Sequence, residues 1–132
     1  MTDEEVSLLS FRANLRVLAG DSFEPALVDT NSTEYRKKTR SYKELLNLLV
    51  RRSEHNTGFV GSEVLALDGV GERGVAVHFR LHYDRQRANV TSDQLRALFV
   101  RLVDRTETVR SEHFNRLTID PQSIFVEGEQ FI

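Results

Sequence analysis

A chain of 132 residues is close to the size of one domain and buries roughly two thirds of the surface its unfolded form exposes, so one core suffices. Its residues are 39% hydrophobic and 29% charged, with two prolines and seven glycines, which leaves little room for a long disordered tail. Eighteen Lys and Arg against 20 Asp and Glu give a net charge of -2, so no overall field favours nucleic acid or anionic lipid.

Without cysteine there is no disulfide framework, thiolate metal site or thiol nucleophile. The compartment stays open on that ground, because a domain with a sufficient core needs no disulfides even outside the cell. The longest apolar runs, such as Leu48-Leu49-Val50, fall far short of the roughly 18 to 20 residues that span a bilayer, so this segment inserts in no membrane as a helix. Met1-Thr2-Asp3-Glu4-Glu5 is no signal peptide, so an extracellular reading makes the chain a piece of a longer protein with Met1 added for expression.

From Phe11 to Leu18 apolar and polar residues alternate, with Phe11, Ala13, Leu15 and Val17 on one face and Arg12, Asn14 and Arg16 on the other, which predicts a half-buried strand. After a loop holding Gly20 and Pro25, Tyr35, Thr39, Tyr42, Leu45, Leu46 and Leu49 recur at helical spacing. A long amphipathic helix is predicted from about Ser32 to Arg52, with Thr30, Asn31 and Ser32 as capping candidates. Residues 53–58 break the pattern, and Phe59 to Leu67 resumes as a strand.

Three glycines between Asp68 and Gly74 signal the turn of a hairpin. In its second strand Val75, Val77, Phe79, Leu81 and Tyr83 face one way, and Ala76, His78, Arg80, His82 and Asp84 the other. Thr91 with Gln94 forms a capping box ahead of Leu95, Leu98, Phe99 and Leu102, predicting a second helix to about Thr108. Past Asp120-Pro121, Ser123 to Glu127 offers a short last strand.

This order predicts an α+β domain of the ferredoxin-like βαββαβ kind, a four-stranded antiparallel sheet with two helices on one face. Residues 10–128 carry the domain, 1–9 form an N-terminal linker or expression-derived segment, and 129–132 form a C-terminal tail. Many unrelated functions share this fold, so the fold alone decides none.

The element order resembles that of the SEA domain. So do the opening strand Ser10-Phe11-Arg12-Ala13-Asn14-Leu15, the loop before Asn31-Ser32-Thr33-Glu34-Tyr35, and above all Gly74-Val75-Ala76-Val77-His78-Phe79-Arg80-Leu81. The likeness covers about Phe11 to Glu127 and rests on apolar patterns. It implies a non-enzymatic extracellular module beside a transmembrane segment or stalk, as in membrane-anchored serine proteases, mucins and proteoglycans. Type II transmembrane serine proteases are the parent expected first. Some members of that family cut their own chain between Gly and Ser in this hairpin, the serine hydroxyl attacking the preceding carbonyl. Here Val75 follows Gly74, and without a hydroxyl or thiol no acyl shift can start. The site is expected to be inherited in shape and chemically dead. No Ser or Thr occurs between Ser62 and Thr91 to replace the missing nucleophile.

Asn31-Ser32-Thr33 and Asn89-Val90-Thr91 are N-glycosylation sequons at predicted helix starts, where capping alone also explains the polar residues. With the family resemblance, Asn31 and Asn89 are expected to carry glycans. Arg12 and Arg16 with His78, Arg80 and His82 are expected to share the open sheet face as a candidate interaction surface for acidic glycans, or for another protein or domain of the same parent. A solvated polar face accounts for the same alternation. Histidines four apart on a strand lie about 13 Å apart, too far to share an ion, so no metal is expected.

RNA binding through an RNA-recognition motif fails at Arg73-Gly74-Val75-Ala76-Val77, where Val75 and Val77 stand in place of stacking aromatics. No triad spacing, phosphate loop or metal-binding carboxylate run indicates a catalyst or a cofactor. Asp68-Gly69-Val70-Gly71 joins two strands, and nothing in the sequence marks Glu63, Asp68 and Glu72 as a functional group of carboxylates. The alternative reading is an intracellular ferredoxin-like domain that binds a small ligand or dimerises through its sheet.

Overall fold

The computed structural model describes residues 7–71, 74–103, 117–128 and 130–131. Among these residues, six strands and two α-helices follow in the order β1 (Leu8–Ala19), α1 (Thr33–Arg51), β2 (Phe59–Val70), β3 (Gly74–Asp84), α2 (Ser92–Val103), β4 (Thr118–Ile119), β5 (Phe125–Val126) and β6 (Gln130–Phe131). The sheet is antiparallel throughout, in the order β2-β3-β1, with β4, β5 and β6 all pairing the free edge of β1.

Alternation in β1 and β3 does the work the sequence assigned to it. Phe11 lies opposite Leu81, Ala13 opposite Phe79, Leu15 opposite Val77 and Val17 opposite Val75, and all eight side chains are buried. Onto that face α1 sets Tyr42, Leu45, Leu46 and Val50, and α2 sets Leu95, Leu98 and Phe99, forming one core. Edge-to-face ring contacts join sheet to helix through Phe79 and Phe99, 5.9 Å between centroids, and β1 to β3 through Phe11 and Tyr83, 5.8 Å apart. Each such pair adds about 0.5 to 1.5 kcal/mol beyond burial.

The helix starts are built by the residues the sequence named. Ser32 caps α1, its Oγ accepting from the Tyr35 N–H at 3.1 Å. At α2 the Gln94 N–H donates to Thr91 Oγ1 and the Thr91 N–H donates to Gln94 Oε1, closing the capping box. The expected continuation of α2 to Thr108 lies outside the described residues.

The single last strand expected over residues 123–127 is instead a broken edge. Pro121 offers no N–H, and Asp120 accepts from the Gln122 N–H, so Pro121–Ser123 turns as a 3-10 helix between β4 and β5. β1 still has its polar groups satisfied across the gap. The Arg16 N–H donates to Ser123 Oγ, and the Asp120 N–H donates to the Arg16 carbonyl.

Candidate functional site

The hairpin joining β2 to β3 carries the Gly74-Val75 step. Val70 pairs Gly74, and Val75 sits between Gly69 on β2 and Val17 on β1. A Cβ at Gly74 would lie 2.7 Å from the Val70 carbonyl oxygen and 3.1 Å from that of Val17, so only glycine fits between the two neighbouring strands. Left-handed backbone occurs at the turn residue Gly71, with φ 58°, and not at Gly74. Val75 is wholly buried beneath the helices. This step therefore presents an apolar side chain to the core, and no polar group reaches the Gly74 carbonyl from position 75.

Asn31 and Asn89 are both exposed, in the loops just ahead of α1 and α2. Neither side chain is used by its helix, because capping falls to Ser32 and to Thr91 with Gln94. Both sequon asparagines are thus open to solvent.

The face of the sheet away from the helices collects Arg12, Asn14 and Arg16 from β1 and His78, Arg80 and His82 from β3, with Arg12 directly opposite Arg80. All five residues named for this surface in the sequence are brought together. It is not purely basic. His82 Nε2 lies 3.1 Å from Glu63 Oε1, and its Nδ1 lies 2.6 Å from Ser10 Oγ, while His78 Nε2 lies 3.0 Å from Asp68 Oδ2. Each histidine thus faces a carboxylate, and the cations left open are Arg12 and Arg16, both exposed. Arg80 lies between its neighbours with its Nε buried and without a hydrogen-bond partner.

Strand period hides the two carboxylates from the sequence. Glu63 and Asp68 are five residues apart and would point to opposite faces of a regular strand. A register shift between Val64 and Ala66 restores the parity, setting Glu63 beside Arg80 and Asp68 beside Ala76 on the same face. Phe125, 51% exposed and opposite Asn14, and Leu18, 48% exposed, add apolar surface there that alternation alone did not announce.

A second polar cluster holds the loop between β1 and α1. Asp21, its side chain only 7% exposed, accepts from Lys38 Nζ and from the Tyr42 hydroxyl, each at 2.6 Å. Burial, and then the Asp21 carboxylate, hold the Tyr42 hydroxyl far above its ordinary pKa. Burial does the same to Tyr83, whose hydroxyl donates to the His55 carbonyl at 2.7 Å. Both clusters tie elements together. Among the described residues no group of three or more His, Asp or Glu is placed to hold a metal ion, and no described helix is long and apolar enough to cross a membrane.

No curated protein matches the chain. The family model of the SEA domain matches residues 9–120, from the start of β1 past β4 and across the hairpin described above. SEA domains are generally non-catalytic and typically extracellular modules of larger proteins, and with this match over most of its length the chain belongs to the SEA domain family.

Proposed function

We propose that this SEA domain is an uncleaved extracellular module, serving as a membrane-proximal spacer or interaction domain in a membrane-anchored glycoprotein, with a type II transmembrane serine protease as the first parent to examine. The observation that carries the absence of self-cleavage is Val75, a buried aliphatic residue where an acyl shift needs a hydroxyl. The regular pairing of Gly74 with Val70, neither of which has a positive φ, supports the same reading. The strand order β2-β3-β1-β4 supports a ferredoxin-like topology whose fourth strand is fragmented.

Asn31 and Asn89 carry N-glycans in this reading, and their exposure supports it. On the open sheet face Arg12, Arg16, His78, Arg80 and His82 meet an acidic partner, either a glycan or another protein or domain of the same parent. The unpartnered Arg80 Nε supports a bound acceptor there.

The test is an intact mass of the chain expressed through a secretory pathway, before and after enzymatic removal of N-glycans. One full-length chain that loses glycan mass is the expected result. Two fragments meeting at Gly74 would overturn the absence of cleavage, and a full-length chain that is unsecreted or unglycosylated would favour the intracellular alternative.

A further inference from the structure

The near-neutral balance of the chain conceals a concentration of positive charge on α1. Five of the eight residues from Arg36 to Lys43 are Lys or Arg, in a chain whose net charge is -2. Lys38 is engaged by Asp21. Arg36, Lys37, Arg40 and Lys43 are exposed, and none of the ion pairs found among the described residues uses them.

Their spacing gives this charge a direction. Arg36, Arg40 and Lys43 stand at i, i+4 and i+7, a stripe about 10 Å long on one side of the helix. The stripe overlooks a groove of about 340 Å3 between α1 and β2, whose other lining residues are Thr39, Glu63 and Val64. Arg40 stands on the crest, because with Lys37 it also lines a hollow of about 430 Å3 on the opposite flank of α1. The helix beneath is fixed by the buried Tyr42, Leu45, Leu46 and Val50, so the cations project from a rigid base.

The surroundings narrow the occupant. The groove has one apolar lining residue, the half-buried Val64, and so lacks the anchor on which a protein interface relies. The apolar face of α1 is already spent in the core, which leaves none to enter a membrane. Tyr42 is buried and Tyr35 packs against the core, so the stripe offers no open ring for a nucleic-acid base. What remains is a row of charge-assisted donors suited to a flexible chain of anionic groups.

We propose that the Arg36, Arg40 and Lys43 stripe of α1, with Lys37 beside it, is a docking surface for a sulfated polysaccharide. The proposal rests on the extracellular reading above, because such polysaccharides lie outside the cell or on its surface.

The purified 132-residue chain is titrated with heparin at low and physiological salt. Binding that weakens as salt rises, and that vanishes when the polysaccharide is fully desulfated, is expected. The double variant Arg36→Gln with Arg40→Gln should weaken binding about tenfold, and Arg52→Gln with Arg87→Gln, which removes two exposed cations elsewhere, less than about twofold. Circular dichroism checks that both variants fold. No binding by the parent chain, equal binding of desulfated heparin, or equal losses in the two variants would overturn the proposal. So would a loss confined to Arg12→Gln with Arg16→Gln, which would place the glycan on the open sheet face. Binding to vesicles containing phosphatidylserine without binding to heparin would assign the stripe to lipid instead. Heparin binding by purified chain is independent of secretion, so its failure and a failure of the intact-mass test are separate results.

Discussion

A methyl group added at Gly74 has nowhere to go, since two backbone oxygens stand 2.7 and 3.1 Å from where it would lie. Gly74→Ala should therefore cost about 1 to 3 kcal/mol, read as a lower urea midpoint at unchanged slope. Val75→Ser should also destabilise, by about 2 kcal/mol, because it empties a buried site and places a hydroxyl among apolar side chains. It should still run as one chain on a denaturing gel, because a nucleophile alone does not supply a strained bond. A cut at Gly74 in that variant would show that the hairpin keeps its reactive shape. Val75 and both sequons were legible in the sequence because each depends on adjacent residues only. The Asp21 cluster was not, since its members approach through the packing of α1 on the loop after β1. Its chemistry predicts an alkaline limb. Tyr42 and Tyr83 ionise at a higher pH when folded than when unfolded, so the unfolded state loses its protons first. Their contribution is complete below about pH 10 and declines above it, by up to about 1.4 kcal/mol per pH unit for each. Urea midpoints between pH 8 and pH 11 should fall past pH 10, and less steeply in Tyr83→Phe.

At the start of α2 one residue serves two purposes, and substitutions separate them. Thr91 caps the helix and also completes the sequon of Asn89. Asn89→Gln should remove one glycan from secreted protein with little change in stability, whereas Thr91→Ala should remove the glycan and cost about 1 kcal/mol. Thr91→Ser should keep both, and the mass shift on enzymatic deglycosylation together with thermal melting distinguishes the three. The two helices, β1 and the hairpin could be read from periodicity and caps, because each buries a regular stripe in one core. The last strand could not. Ile124 is buried as an apolar run suggests, yet Pro121 and the Asp120 turn divide that edge into pieces two residues long, too short to show a period. The bulge in β2 likewise withheld the pairing of Glu63 and Asp68 with the histidines until the register was known.

At the scale of the whole molecule, the described residues present two charged surfaces on different layers. One is the sheet face holding Arg12 and Arg16, the other the outer side of α1, and the core between them leaves each free to act alone. The path of β1 has a mechanical consequence. Leu9 pairs Phe131 and Ser10 pairs Gln130, so the first and last paired segments leave the sheet side by side at one end. Tension drawn between them would open β6, β5 and β4 from β1 in turn, like teeth of a zip, rather than shear a whole ladder at once. Threaded into a stalk by these two ends, such a module would add girth more than reach and would yield gradually from its open end.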